Sequence, residues 1–303
     1  MKRILLILLT LLFIQSNFSN IAEAGFIADY KLRIEKERQI KSIYDDVKSV
    51  MDKQEEYSNN YDIEGLAKLY SSEFVNCDGF NKDVYFKLIK DTWQTYPNIS
   101  YTTKIKNIIF NEKYAKVEVF ETANATTNEI EPGVAARGEL YSAANGVYYL
   151  EKVGQNWVIM SEQIIDEKSI LRYGDARFIK MDLNAPSLVP AGKYYTTSLV
   201  VDVPEDAVVI ASIGNATSVY PQVKTDDSFR KLPDDNILER MFAANKKNVN
   251  EYAVASVGIA KSEPLDKEKI KVYMSGLAFI MTRVNVIPEN KFIKFEDDNG
   301  KTE

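Results

Sequence analysis

Residues 62–79 read DIEGLAKLYSSEFVNCDG, and the chain changes conformation twice within them. Asp62 is a helix N-cap in front of Leu66, Leu69 and Tyr70, whose spacing is helical. Glu73 to Asp78 then alternates as a strand does, placing Phe74, Asn76 and Asp78 on one face and Val75 and Cys77 on the other. The pair Asp78-Gly79 closes that strand with a turn. Working upstream, Ile40, Ile43, Tyr44, Val47, Val50 and Met51 recur at helical spacing with charged residues between them, which predicts a long amphipathic helix. Working downstream, Asn81 caps a third helix whose buried stripe is Tyr85, Leu88, Ile89, Thr92 and Trp93, ended by Pro97.

At Ser100 the period of the apolar residues switches from helical to alternating. Four strands are predicted in succession: Tyr101 to Phe110, Tyr114 to Ala123, Gly138 to Lys152 and Trp157 to Ile165. The links 111–113 and 153–156 are hairpin-sized, so the pairing is antiparallel. The longer link Thr126 to Arg137, with Pro132 and Gly133, is predicted to be a loop able to act as a lid. A transitional segment, Asp166 to Lys180, leads to the proline- and glycine-bearing stretch 184–192, where a domain boundary is expected. Beyond it, Tyr194 to Val203, Ala207 to Ile213, Tyr252 to Ile259, Ile270 to Met274 and Phe279 to Val286 read as strands. Asn236 to Lys246 reads as one helix capped by Asp235. The second half is thus expected to be mostly β and sandwich-like over residues 184–290, followed by a polar tail, 291–303.

Composition removes many chemistries. The chain of 303 residues has no histidine and one cysteine, Cys77, which excludes a Ser-His-Asp triad, Cys-His proteases, histidine-based zinc peptidases and CxxC redox centres. A net charge of -6 speaks against a basic nucleic-acid-binding surface. No nucleic acid, cofactor or metal is expected as a partner. Ser228-Phe229-Arg230-Lys231 matches SxxK, but without the companion motifs of the enzymes that use it. Lys2 and Arg3 precede the apolar run Ile4 to Ile14, and Ala22-Glu23-Ala24 has the small-x-small pattern read by signal peptidase. Residues 1–24 are therefore expected to be a signal peptide cleaved before Gly25, with the protein exported to the periplasm or beyond and no membrane span after cleavage.

Long helix, short helix, strand ending in Asp78-Gly79, third helix with Trp93 near its end, then four antiparallel strands with the late hairpin Tyr148 to Trp157: this order resembles the nuclear transport factor 2-like superfamily, SnoaL-like branch, over about residues 34–178. The resemblance implies an α+β fold for residues 25–180, in which a cone-shaped, curved antiparallel sheet packs on three N-terminal helices with a pocket at its wide end. It also implies a homodimer paired through that sheet. Asp78 stands at the strand end where ketosteroid isomerase-like members carry a general base. Their tyrosine donor would lie on the first helix, where this chain has Gln54 and Glu55, with Tyr57 offset.

From the residues themselves, Glu121 is the second candidate, because it continues the apolar face Ala115, Val117 and Val119 of its strand. Tyr44, Tyr70, Tyr85, Trp93 and Tyr148 supply an amphipathic lining for a flat apolar ligand, with Asn76, Asp78 and Glu121 as its polar members. Three functions follow as expectations. One is a non-catalytic exported protein whose cone binds a small apolar ligand or dimerises while the β domain contacts an envelope partner. Another is an isomerase or dehydratase using Asp78, with or without Glu121. The third is a structural module of an envelope assembly.

Overall fold

The computed structural model describes residues 2–221, 228–264 and 269–289, with side chains from Asp29 onward. The chain divides into two compact units, residues 1–49 and 50–303. Helix α1, Lys2–Asn59, runs from the first into the second. Among its side chains Ile43, Val47, Val50 and Met51 are buried, whereas Ile40 and Tyr44 are exposed. No helix among the described residues is long and apolar enough to cross a membrane.

In the second unit α2, Ile63–Lys68, begins where Asp62 accepts a hydrogen bond from the Gly65 amide at 2.8 Å. Helix α3, Lys82–Thr95, begins where Asn81 accepts one from the Val84 amide. Both caps are those the sequence predicts. Strand β1, Tyr70–Asn76, lies between the two helices in sequence and pairs parallel to β5, Asn156–Gly174. The last turns of α1 are tied to β2, Ser100–Phe110: Asn59 exchanges two hydrogen bonds with the Tyr101 backbone, and Glu55 accepts from the Thr103 amide.

The four predicted strands are present and antiparallel, and all are longer than expected, β2 by a single residue. β3 is Tyr114–Glu131 and β4 is Ala136–Val153, so most of the anticipated lid between Thr126 and Arg137 is strand. An irregularity between Thr126 and Ile130 absorbs extra residues, and the pairing resumes at Ile130 and Arg137. The reversal itself occupies residues 132–135, with Ala135 at φ 53°. β5 likewise continues through the segment expected to be transitional.

That continuation decides the rest of the fold. Beyond a short 3-10 turn at Asp175–Phe178 come β6 (Met181–Asn184), β7 (Leu188–Pro190), β8 (Tyr194–Val201), β9 (Ala207–Thr217), β10 (Arg230–Lys231), β11 (Ile237–Ala243), β12 (Glu251–Pro264) and β13 (Ile270–Ile287). β13 pairs with β5 over residues 276–282 and 168–174. One sheet therefore runs β10-β9-β12-β13-β5-β4-β3-β2, so that β9, β10, β12 and β13 continue the sheet of the first half. A smaller sheet, β11-β8-β6, lies apart. Its Leu183, Leu199, Leu238 and Phe242 share a core with Ala211, Val257, Ile259 and Ile280 of the long sheet. The predicted helix 236–246 is β11, paired along its length with β8. The polar tail expected at 291–303 lies outside the described residues.

Candidate functional site

The α3 stripe does not close against the sheet. Tyr85, Ile89 and Trp93, spaced one helical turn apart, form one wall of a cavity of about 200 Å³. Gln54 and Ser58 of α1 and Tyr101 and Thr103 of β2 form another part of the wall. The floor is the sheet: Glu121 and Ala123 of β3, Ser142, Ala144 and Tyr148 of β4, and Glu162 of β5. Tyr85, Ile89, Tyr101 and Glu162 also border a groove of about 580 Å³, so the two spaces adjoin. The far side of the groove is made by Tyr252 of β12, Met281 of β13 and residues 217–220. The Tyr220 ring lies under the Lys87 ammonium of α3 at 5.5 Å. Strands from the C-terminal half thus complete the site.

Two carboxylates sit at the floor. Alternation through Ala115, Val117 and Val119, all buried, brings Glu121 to the cavity as its face predicts. It accepts bonds from the Tyr148 hydroxyl at 3.1 and 3.3 Å and a longer one from Thr103 at 3.5 Å. Burial pushes its carboxyl up to about 7, with Glu55 adding repulsion against the hydrogen bonds that lower it. Glu162 stands opposite Tyr148 in the β4–β5 pairing and opposite Asn76 in the β1–β5 pairing. It is buried, accepts a 2.6 Å bond from the Tyr85 hydroxyl, and is also pushed up to about 7, first by burial and then by the charges of Glu121 and Asp78. Tyr85 and Tyr148 are driven well above the ordinary phenol range, by burial and then by these carboxylates, so both remain protonated donors. Among the described residues no Lys or Arg lines the cavity.

Asp78 is placed differently from the general base that the resemblance implies. It borders the groove, but its side chain is 4% exposed and both its oxygens are held by Arg283, at 2.5 and 3.1 Å. Asn250 donates a third bond at 2.7 Å. Burial alone would raise its pKa; the hydrogen bonds and charge of Arg283, with Asn250, outweigh that and hold it below the usual carboxylate range. A carboxylate held by both prongs of Arg283 is poorly placed for the general-base role that the resemblance implies. Asn76 accepts from the Asp78 and Phe80 amides and so shapes this turn while lining the groove. Cys77 is half-buried, takes hydrogen bonds from Arg283 and the Ile164 amide, and has its thiol pKa raised by burial, which argues against a nucleophile.

Of the expected lining residues, Tyr85, Trp93, Glu121 and Tyr148 meet at the cavity, and Asn76 and Asp78 lie along the groove. Tyr70 is buried behind them, its ring 5.7 Å from Tyr85 and packed on Phe74 and Phe86, and it reaches neither space. Tyr44 is exposed on the first unit. Glu162 and Tyr101 are lining residues that the sequence reading did not single out. For Glu162 the reason is local: a bulge lies between Ile159 and Ser161 of β5. Trp157 and Ile159 face inward on odd positions, and one extra residue transfers the inward face to Glu162.

No protein-family model matches the chain, and no curated protein does. Solved structures of nuclear transport factor 2-like proteins match about 40% of it and leave the C-terminal part unmatched. A nuclear transport factor 2-like protein from Cytophaga hutchinsonii is 13% identical, with 40% of this chain and 95% of that one covered at a TM-score of 0.28. A type 3 hexachlorocyclohexane dehydrochlorinase from Novosphingobium barchaimii is 9% identical, with 41% and 85% covered at 0.35. Bd1075 from Bdellovibrio bacteriovorus is 16% identical at 0.33; the match covers 40% of this chain and only 39% of that one. What the site can do is argued from its own geometry.

Proposed function

We propose that the protein binds a small, mainly apolar ligand in the space between α3 and the sheet. The observation that carries the reading is the failure of the α3 stripe to close: five half-buried or buried ring and aliphatic side chains border a void that also holds the carboxylates of Glu121 and Glu162. A helix stripe that served only as core would meet packed side chains at interior density. Apolar walls with a few converging polar groups are the usual make-up of a ligand site. Phe80, Leu88 and Met281 continue the apolar lining into the groove, giving a route of entry.

A panel of small apolar ligands, followed by tryptophan fluorescence and calorimetry, tests this. At least one member is expected to bind, and Ala144→Leu, which fills the floor with three extra carbons, is expected to weaken binding by roughly tenfold or more. Undiminished binding by Ala144→Leu, or no binding anywhere in the panel, rejects the site. In the enzymatic alternative the proton-transfer role passes from Asp78 to Glu121 and Glu162, whose carboxyls titrate near neutrality beside tyrosine donors. Turnover of a panel member would favour it.

We further propose that the chain is exported, on the strength of Lys2-Arg3, the apolar run Ile4 to Ile14 and Ala22-Glu23-Ala24. Protein recovered from the periplasm or medium is expected to begin at Gly25 on N-terminal sequencing. Recovery of uncleaved chain from the cytosol alone would contradict export.

A further inference from the structure

Resting on the ligand-binding reading above, we propose that the ligand is an organic cation: a small amine whose ammonium group is held by Glu121 and Glu162 and whose apolar body lies against Tyr85, Trp93 and Tyr101. The first support is an imbalance of charge. Two carboxylates line one cavity, and among the described residues no basic side chain lines it. Two cations on neighbouring elements are committed elsewhere, although the Arg283 charge is felt at Glu162. Arg283 is spent on Asp78, Tyr252 and Asn285, and Lys82 donates to the carbonyls of Ala67 and Tyr70. Carboxylates withdrawn from water are normally paired; Glu162, which is buried, and Glu121, which is partly buried, are hydrogen-bonded by neutral donors, an arrangement that favours a counter-charge from outside the chain.

The second support is unused acceptor capacity. Glu162 receives one side-chain hydrogen bond, from Tyr85, and Glu121 receives those of Tyr148 and the longer one of Thr103. A carboxylate offers about four lone-pair positions, so both retain room for an ammonium with three donors. Tyr148 stands directly beside Glu162 in the sheet and reaches Glu121 with its hydroxyl, which puts both acids within the span of one side chain. The third support is the wall. Tyr85, Trp93, Tyr101 and Tyr148 surround the cavity, and aromatic faces attract a cation that has shed its water. A carboxylate ligand would be repelled here, and a neutral alcohol would gain hydrogen bonds without relieving the charge.

The test is calorimetric titration of the full chain at pH 8 with three probes of one shape: phenethylamine, phenethyl alcohol and phenylacetate. The amine is expected to bind about tenfold or more tighter than the alcohol, with phenylacetate weakest. Glu121→Gln and Glu162→Gln keep the shape and the tyrosine hydrogen bonds; each is expected to weaken amine binding about tenfold while leaving the alcohol nearly unchanged. Alcohol binding as tight as amine binding, or unchanged amine binding by both variants, overturns the cation assignment and leaves the ligand-binding reading standing. So does a chain that binds a neutral member of the apolar panel but no amine. Failure of every probe and every panel member overturns both.

Discussion

Arg283→Met is expected to lower stability by about 3–5 kcal/mol, the cost of leaving a buried charge without its partner. Arg283 is 0% exposed at its side chain and Asp78 4%, so neither has water to fall back on. Removing the guanidinium takes both of its bonds from Asp78 and one each from Cys77, Tyr252 and Asn285. At a few degrees per kcal/mol for a chain of this size, a thermal melt should shift by roughly 10 °C. Arg283→Lys keeps the charge and loses the two-pronged geometry, so it should fall between the two. The pH dependence separates this from simple loss of packing. In the wild type the depressed Asp78 contributes stability that is present above its unfolded pKa of 3.8 and is lost as pH falls through the lower folded value. Without Arg283, burial raises the same carboxyl, and protonation then relieves the variant. The deficit should be largest at pH 7.5 and shrink toward pH 4.5. The double variant Asp78→Asn/Arg283→Met should recover much of it. A single Arg283→Met within 1 kcal/mol of wild type at pH 7.5 would show that the bolt between the β1 turn and β13 is not structural.

That bolt could not be read from the sequence, and the reason separates what was legible from what was not. Local rules carried the first half. Asp62 and Asn81 cap the helices they precede, and the switch of period at Ser100 starts the sheet. Glu121 reached the cavity because nothing disturbs the alternation between Ala115 and its own position. Glu162 was hidden by one bulged residue, which reverses face without leaving a signature in composition. The segment 236–243 failed in another way. Ile237, Leu238, Met241 and Phe242 fit helical spacing, and Asp235 fits a cap. In the structure Asp235 instead accepts from the Ile237 amide after a left-handed Asn236, opening a strand that buries Leu238 and Phe242 against the long sheet. Tertiary pairing with β8 overrode an ambiguous pattern. The pairing of β5 with β13 joins residues about a hundred positions apart, a distance over which no periodicity speaks.

Glu121→Gln and Glu162→Gln are each expected to make the protein more stable than wild type at pH 8.5, by about 2–3 kcal/mol, and no more stable at pH 4. The sign follows from the direction of the shift. Both carboxyls are raised from 4.5 to about 7 in the folded chain, chiefly by burial. Below pH 4.5 they carry protons in both states and cost nothing through ionisation. Between 4.5 and 7 the unfolded chain releases those protons while the folded chain keeps them, so stability declines as pH rises. Above 7 the folded chain holds two negative charges at the cavity floor and the loss is complete. Because the two acids repel each other, they ionise in two steps that belong to the pair, and removing either should ease the other. Glutamine preserves the acceptor that Tyr85 or Tyr148 needs, so the gain is not cancelled by a broken hydrogen bond. Urea midpoints at pH 4 and pH 8.5 measure the difference directly. Equal or lower stability of both variants at pH 8.5 would mean that the carboxylates are neutralised within the chain and demand nothing from a ligand. A gain in stability coupled to a loss of amine binding would instead identify the two glutamates as residues that destabilise the empty protein and are retained for what they hold.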